Sequence, residues 1–325
     1  MNEVLNPEPI TLNVLIVDDL HPCLMEGLSK HGCKVLYLPD ANRAEILAAL
    51  PNKDVLVIRT KTIVDKALLD QANALKIIAR AGAGMDNIDL FEAEKRNITC
   101  FNAGEANSDA VAEQSLAMLL MLLNNLFRAN QQVKAGIWQR EANRGIELAG
   151  KTVAIIGYGN TGSAFASKLS AMKVKVLAYD KYRSNFGNSL VQECTWKEIF
   201  ELADILSFHV PLTNETKYYF NSSLLNQFKK NIFLLNLSRG KVVNTKDLLL
   251  GLNQGKILGA ALDVLENEQL NLLNTEEKIL FEQLCKHENV ILSPHIGGWT
   301  QESYVKISQV LLDKLLTFSK KLTLI

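Results

Sequence analysis

The chain has 325 residues, more than one domain of ordinary size usually contains, so its length predicts two domains. Its 35 basic residues balance its 35 acidic residues, so no overall field would draw it to nucleic acid or to an anionic membrane surface. The five cysteines lack metal-ligand spacing, which predicts no metal site and a reducing, cytoplasmic environment. The expected partner is a small molecule or another protein.

Two segments bear on targeting. Residues 1–11 contain Glu3, Pro7 and Glu8 where a secretory signal would have a basic start and an apolar stretch, so no export is expected. The most apolar run, Leu116–Leu123, is far shorter than the roughly twenty residues that cross a bilayer, and it predicts a buried helix.

Short β-branched runs alternate with helical patterns in the first part of the chain. The runs are Val14–Val17, Val55–Ile58 and Leu75–Ala79. Strands that alternate with helices predict a parallel sheet with helical crossovers. A helical pattern then runs from Asp109 to Ala135, and it predicts one long helix between two domains.

The alternation restarts after this helix and predicts six more strands, as a doubly wound dinucleotide-binding domain needs. They are Thr152–Ile156, Val174–Tyr179, Ile205–Val210, Ile232–Leu237, Gly259–Val264 and Val290–Leu292. The tail, residues 301–318, has the pattern of an amphipathic helix and is expected to pack on the first domain. The predicted boundaries are therefore 1–104 with 297–325 for a discontinuous substrate domain, and 105–296 for a dinucleotide-binding domain.

A glycine-rich loop directly follows the strand that ends at Ile156. Glycines at its spacing allow a tight turn and a close backbone approach to a pyrophosphate, while the following helix start supplies amide donors. The predicted cofactor-binding residues of this loop are Gly157, Gly159, Asn160, Thr161 and Gly162.

Asp180 ends the next predicted strand, eighteen residues after Gly162. Its carboxylate is expected to accept hydrogen bonds from the adenosine ribose and to repel a 2′-phosphate, which favours NAD over NADP. Lys181 and Arg183 follow it and are expected to be solvated surface charges.

Three later segments lie just past predicted strands, where ligands bind in open α/β sheets: Asn236–Gly240, Leu262–Glu268 and Ser293–Gly298. His295 suits proton transfer near neutral pH, and Arg239 suits binding of a carboxylate. Glu266 and Glu268 are both candidates for the acid that orients the histidine. Structural roles remain the alternative for each of these residues taken separately.

These motifs resemble those of the D-isomer-specific 2-hydroxyacid dehydrogenases, and among them the members that oxidise 3-phosphoglycerate. The resemblance rests on Arg80–Asp89, the glycine loop with Asp180, His209–Thr213, Ser238–Gly240, Ala261–Val264 and Pro294–Gly298. It implies an α/β fold of two doubly wound parallel-sheet domains, with a Rossmann NAD-binding domain inserted into a flavodoxin-like substrate domain.

The resemblance also implies roles for individual residues. The catalytic set is Arg239, Glu268 and His295, with Glu266 the weaker candidate. Asp263 is expected to hold the nicotinamide carboxamide, and the stretch His209, Val210 and Pro211 to border the adenosine half of NAD. The expected substrate-binding residues are Arg59, Arg80 and Arg140, with backbone amides of the Gly82–Gly84 loop, notably Ala83 and Gly84.

The sequence departs from the family pattern at three places. Gln269 stands where proline is usual, a longer segment follows from Leu270 to Glu277, and Trp299 stands where many members have a small residue. These departures affect loop shape and substrate fit. The regulatory domain that extends some members is expected to be missing, since the sequence ends at Ile325.

The predicted function is NAD-dependent oxidation of 3-phospho-D-glycerate to 3-phosphohydroxypyruvate, the entry step to serine synthesis. A glyoxylate or hydroxypyruvate reductase, or another D-2-hydroxyacid dehydrogenase, is an alternative on the same machinery. An NAD-sensing, corepressor-like interaction protein is an alternative of another class. The family fold implies a homodimer or a dimer of dimers, in which the 109–135 helix and the following arm meet their copies.

Overall fold

The structure is a computed structural model that describes residues 11–322. It divides into two compact units, Met1–Asn107 with Trp299–Ile325, and Ser108–Gly298. Each unit is built on one parallel β-sheet flanked by helices, so the predicted fold class is confirmed.

The strands of both units are short. They are β1 (Asn13–Ile16), β2 (Lys34–Tyr37), β3 (Val55–Ile58), β4 (Ile77–Arg80), β5 (Thr99–Asn102), β6 (Thr152–Ile156), β7 (Lys175–Tyr179), β8 (Gln192–Glu193), β9 (Ile205–Phe208), β10 (Ile232–Asn236), β11 (Ile257–Leu262) and β12 (Val290–Leu292).

The helices connect these strands. They are α1 (Cys23–Lys30), α2 (Arg43–Ala49), α3 (Lys66–Leu69), α4 (Leu90–Lys95), α5 (Ser108–Leu123), α6 (Leu126–Lys134), α7 (Asn160–Leu169), α8 (Trp196–Leu202), α9 (Ser222–Leu225), α10 (Thr245–Asn253), α11 (Thr275–Lys286) and α12 (Gln301–Leu322). Single 3₁₀ turns lie at Glu141–Asn143, Ser170–Met172, Gly240–Val242 and Leu270–Leu272.

The first unit has a five-stranded sheet with the order β2-β1-β3-β4-β5, which is the flavodoxin-like order. Helix α12 packs against this sheet and against α1. Its residues Ile307, Leu311 and Leu315 share one core with Leu24 and Leu28 of α1. The expected return of the tail onto the first unit is therefore confirmed.

The second unit has a seven-stranded sheet with the order β12-β11-β10-β9-β6-β7-β8. Its first six strands along the chain follow the Rossmann order, and β12 is added at one edge. Strands β6 and β10 are buried along their whole length, as expected when helices cover both faces of a parallel sheet. The carboxyl ends of β6, β7, β9, β10, β11 and β12 consequently lie along one edge.

The prediction of a single long helix from Asp109 to Ala135 is wrong. The helix stops at Leu123, and α6 continues at an angle of 65° to α5. Asn125 is the residue at the break, with φ of 51°, a left-handed conformation that asparagine adopts more readily than most residues. Its side-chain amide donates to the Arg144 carbonyl oxygen at 3.2 Å, which holds the bend.

Within residues 11–322, no single helix is both long and apolar enough to cross a membrane; α5 and α6 meet that test only when they are counted together.

Candidate active site

The predicted histidine and one of the two candidate glutamates are in contact at the carboxyl edge of the second unit's sheet. His295 Nδ1 lies 2.9 Å from Glu268 Oε2. Both side chains are a little under half exposed, at 44% and 45%, so a ligand can reach them from solvent. The ring's second nitrogen, Nε2, is the atom that this arrangement leaves for proton exchange with a substrate.

Glu266 has a different position. Its Oε1 accepts a hydrogen bond from the Thr245 amide at 2.5 Å, at the start of α10. Glu266 also accepts a hydrogen bond from the Tyr218 hydroxyl, which raises the pKa of this phenol. These contacts tie Glu266 to the helix and to Tyr218, whereas Glu268 contacts the imidazole.

Asp263, at the end of β11, holds the segment that contains His295. Its carboxylate is almost completely buried and accepts hydrogen bonds from Ser293 Oγ at 2.6 Å, the Ile296 amide at 2.9 Å and the Gly297 amide at 2.7 Å. The Asp263 carbonyl oxygen accepts from the His295 amide at 2.8 Å. His295 adopts a left-handed backbone with φ of 55°, a conformation that surrounding bonds must maintain.

Arg239 follows β10 in a turn organised by Asn236. The buried Asn236 side chain donates to the Arg239 carbonyl oxygen at 2.9 Å and accepts from the Ser238 amide at 3.1 Å. One guanidinium nitrogen of Arg239 donates to the Ser238 carbonyl oxygen at 2.7 Å. The turn thereby fixes the arginine just beyond its strand, as the sequence predicts.

The glycine loop has the geometry of a dinucleotide cradle. Gly157 has φ of 92°, and a Cβ there would lie 2.5 Å from the His209 carbonyl oxygen. A Cβ at Gly162 would lie 2.0 Å from the Gly157 carbonyl oxygen. By contrast, a Cβ at Gly159 would meet nothing within 4 Å, and no side chain caps the start of α7. This open space at a helix N-terminus fits a pyrophosphate.

Asp180 closes the other side of this loop. Its carboxylate accepts from the backbone amides of Tyr158 at 2.8 Å, Tyr182 at 2.9 Å and Arg183 at 3.0 Å. Arg183 is exposed, and its guanidinium also donates to the Tyr158 carbonyl oxygen. Lys181 is exposed and pairs with Glu215 at 2.6 Å.

The stretch His209, Val210 and Pro211 follows β9 next to the glycine loop. The His209 backbone borders Gly157, but its ring lies inside the unit, 2.8 Å from Ser207 Oγ and 5.4 Å from the Phe165 ring centroid. Burial lowers the pKa of His209 to about 4. The ring is therefore neutral at physiological pH, and only the backbone of this residue faces the loop.

In the first unit, Arg80 ends β4 and lies across the loop that follows. One of its guanidinium nitrogens donates to the Ala81 carbonyl oxygen at 3.3 Å, and a Cβ at Gly82 would lie 1.8 Å from that nitrogen. Gly82 has φ of 136°, which only glycine adopts readily. The carbonyl oxygen of Ala83 accepts from the Asn102 side chain at 2.5 Å, which fixes the loop that continues to Gly84.

Arg59 lies at the carboxyl end of β3, beside Trp299. Its guanidinium carbon is 3.6 Å from the centroid of the Trp299 ring. The Arg59 amide donates to the Asp18 carboxylate at 2.6 Å. Burial raises the pKa of Asp18, while the backbone bond from Arg59 acts in the opposite direction.

Arg140 is exposed and precedes the Glu141–Asn143 turn. Neighbouring apolar side chains are also exposed, including Ile137 and Trp138, the latter at 83%. Helix α6, before them, has no buried residue. The segment from α6 to Arg140 therefore presents an apolar surface with a basic residue at its end.

Three features of this site were missed in the sequence. Asn236 and Ser293 hold the turns of Arg239 and His295, and both lie within motifs that were recognised as whole segments. The Trp299 contact with Arg59 joins distant parts of the chain. The only indication of this contact in the sequence is Trp299 itself, a large residue at a position where small residues are usual in the family.

A doubly wound sheet with a glycine cradle, and with an acid-paired histidine at its strand ends, is the architecture of a nicotinamide-dependent oxidoreductase unit. Residues 116–297 match the family model described as "D-isomer specific 2-hydroxyacid dehydrogenase, NAD binding domain". The chain belongs to this family of NAD-dependent oxidoreductases.

Individual relatives agree with this membership. The chain is 31% identical over 316 residues to a D-3-phosphoglycerate dehydrogenase of Archaeoglobus fulgidus, covering 96% of this chain and 58% of the relative. It is 35% identical over 283 residues to the enzyme of that name from Bacillus subtilis, covering 86% and 52%. The chain thus spans a little over half the length of these relatives.

Among solved structures, a D-lactate dehydrogenase from Aquifex aeolicus, complexed with NAD and lactic acid, is similar. It is 28% identical, with a TM-score of 0.81, and the match covers 95% of this chain and 96% of that chain. None of these matches supports the corepressor alternative.

The buried His209 ring makes stability pH-dependent. The unfolded chain takes up a proton there below about pH 6.5, whereas the folded chain does so only near pH 4. The free energy of unfolding should therefore fall as pH drops through this window, by about 2 kcal/mol at pH 5. Urea unfolding of the unmodified chain and of His209→Gln at pH 7 and pH 5 measures this. The variant should lack that part of the loss, whereas His287→Gln should retain it; equal losses in all three would contradict the prediction.

Proposed function

We propose that this protein is an NAD-dependent D-2-hydroxyacid dehydrogenase, and that it oxidises 3-phospho-D-glycerate. The observation that carries the proposal is the His295–Glu268 contact at 2.9 Å, at the sheet edge where β10 places Arg239. An acid–base group and a carboxylate-binding cation are what oxidation of a hydroxy acid requires.

Each of the three residues has a different proposed role. His295 accepts the hydroxyl proton at Nε2 during oxidation and returns it during reduction. Glu268 holds the opposite ring nitrogen, which selects the tautomer and stabilises the imidazolium. Arg239 binds the substrate carboxylate through paired donors. NAD, when bound, supplies the nicotinamide that takes up or releases the hydride.

The cradle residues are proposed to hold NAD. The open position at Gly159 and the first amides of α7, at Asn160 and Thr161, suit the pyrophosphate. Asp180 is proposed to bind the adenosine ribose, and Asp263 to contact the nicotinamide carboxamide. Asp263 would do so while it also anchors the Ser293–Gly297 segment.

The substrate assignment rests on the named relatives and on basic residues. A three-carbon phosphorylated acid carries a carboxylate and a phosphate, so it needs cations beyond Arg239. We assign Arg59, Arg80 and Arg140 to substrate binding, with the amides of Ala83 and Gly84. Arginine suits phosphate because its planar donors pair with two oxygens.

We propose a homodimer in which the exposed apolar segment is covered. Leu126 and Phe127 of α6 are 55% and 45% exposed, and Trp138 is more exposed still. A second copy of the chain is the partner proposed to cover them, and the proposed arrangement brings Arg140 to the neighbour's site.

Asp180 is expected to enforce the use of NAD. In Asp180→Asn the shape and one acceptor oxygen remain but the charge is lost, so the NAD/NADP ratio of kcat/KM should fall by about 10- to 100-fold. Steady-state rates with both cofactors measure this ratio. Glu215→Gln, which removes a neighbouring carboxylate outside the cradle, is the matched control. An unchanged ratio in Asp180→Asn would refute the assignment.

His295 and Glu268 should give different kinetic signatures. His295→Ala should lower kcat by about 10²- to 10⁴-fold with nearly unchanged NAD affinity, because proton transfer is lost. Glu268→Gln should move the pH of half-maximal reduction downward, because the imidazolium loses its charged partner. The pH profile of the reduction rate checks this. A shift in Glu266→Gln, with none in Glu268→Gln, would reverse the choice between the two acids.

The substrate is tested by an NADH absorbance screen of purified protein against 2-oxo and D-2-hydroxy acids. We expect phosphohydroxypyruvate to exceed hydroxypyruvate in kcat/KM, and Arg59→Ala to raise KM for the phosphorylated acid far more than for the other. Equal kcat/KM for the two acids would instead favour the hydroxypyruvate or glyoxylate reductase. Inactivity across the whole panel would reject the enzyme proposal.

Mixed dimers test whether Arg140 contributes to the active site of the neighbouring subunit. Arg140→Ala and Arg239→Ala chains should each be weakly active, and mixing them should restore activity, because one of the two sites then has both arginines. The mixture should reach about a quarter of the unmodified activity if subunits exchange at random. No recovery in mixtures shown by native mass spectrometry to contain heterodimers would place Arg140 outside the neighbour's site.

A further inference from the structure

Trp299 covers one face of the Arg59 guanidinium, with 3.6 Å between the guanidinium carbon and the ring centroid. We propose that Trp299 determines substrate selectivity, because it holds this guanidinium ready for an oxyanion group at the end of the substrate away from the reacting carbon. The inference rests on the proposed function and adds to it a residue that the family pattern does not supply.

The indole itself is held in place by other aromatic groups of the same unit. The Tyr304 ring meets it edge-on, with centroids 5.5 Å apart, and His21 meets Tyr304 in the same way at 5.6 Å. The Tyr304 hydroxyl donates to the Asp19 carboxylate at 2.9 Å. The stack therefore has a fixed base, and Trp299 at its end is still 46% exposed.

Arg59 is fixed from the backbone side. Its amide donates to Asp18 at 2.6 Å, and its carbonyl oxygen accepts from the Asn87 side chain at 3.1 Å. Asp18 and Asp19 interact electrostatically with the Arg59 guanidinium from a distance, while Asp18 accepts from the Arg59 amide and Asp19 accepts from the Tyr304 hydroxyl. Within the described part of the chain, no carboxylate lies at ion-pair distance from this guanidinium, so its N–H donors are open to a ligand.

Geometry then sets the class of ligand. With one face covered, the guanidinium offers its N–H donors in its own plane, where two oxygens of one group can accept them. A phosphate monoester and a second carboxylate both present such oxygens. An uncharged hydroxymethyl end does not, so the stack should favour acids with an anionic far end.

The kinetic test compares Trp299→Leu, which removes the π face, with Trp299→Phe, which keeps a smaller one. The substrates are phosphohydroxypyruvate against hydroxypyruvate, and oxaloacetate against pyruvate. In Trp299→Leu the preference for the member with the anionic far end, as a ratio of kcat/KM, should fall by about 5- to 30-fold in the pair that the site recognises. Trp299→Phe should restore part of it. The pair in which the preference falls shows whether the site recognises a phosphate or a second carboxylate.

Phe91→Leu is the matched control. Phe91 is an exposed aromatic residue of the same unit with Lys95 over its ring at 4.1 Å, and it should leave both ratios unchanged. In an Arg59→Ala background, Trp299→Leu should have no further effect on the ratios, because the indole acts through the arginine. Equal loss for substrates with and without an anionic far end, or a full effect without Arg59, would overturn the inference while leaving the dehydrogenase proposal intact.

A binding measurement separates the two proposals if turnover fails. The contribution of Trp299 is obtained by subtracting the tryptophan fluorescence of Trp299→Phe from that of the unmodified chain. It should respond to 3-phosphoglycerate or to malate, but not to glycerate, and the response should be absent in Arg59→Ala. Such a response without turnover would reject the dehydrogenase proposal alone. No response to 3-phosphoglycerate or to malate, or an equal response to glycerate, would overturn the role of Trp299.

Discussion

The buried carboxylate of Asp263 accepts three hydrogen bonds from one segment, and the position of His295 depends on them. A carboxylate without such donors would be costly to bury. Here the donors belong to the segment that carries the candidate catalytic residue. The hydrogen bonds that offset the cost of burying Asp263 therefore also hold this segment in position. The left-handed backbone at His295 is held by the same bonds. The Asp263 side chain thus connects the end of β11 to the segment that carries the candidate catalytic histidine.

Much of this arrangement could be predicted because it depends on local sequence. The buried strands are continuous apolar runs, and the glycine loop directly follows one of them. The edge of the sheet at which the strands end then determines which later segments lie near the site. Choosing between Glu266 and Glu268 required family spacing, because both acids lie in one loop. The structure gives the physical difference: only Glu268 contacts the imidazole.

What could not be predicted depends on exposure and on distant contacts. The missed strands β2, β5 and β8 are all edge strands, whose partly exposed residues lack a strong apolar pattern. The break between α5 and α6 depends on one backbone torsion at Asn125 and a hydrogen bond to a later turn. The Arg59–Trp299 stack joins residues from the two separate chain segments of the first unit, and no local pattern encodes such a pair.

Helix α12 has a consequence for the order in which the protein can fold. Its apolar side chains complete the core around α1 and the first sheet, but they are synthesised after the whole second unit. At about 5–20 residues per second, the intervening segment takes roughly 10 to 40 s to make. During that time Leu24 and Leu28 of α1 lack the α12 side chains that share their core. On the ribosome, the unit that begins first is therefore the one that finishes last, and its apolar face is open to chaperones in the meantime.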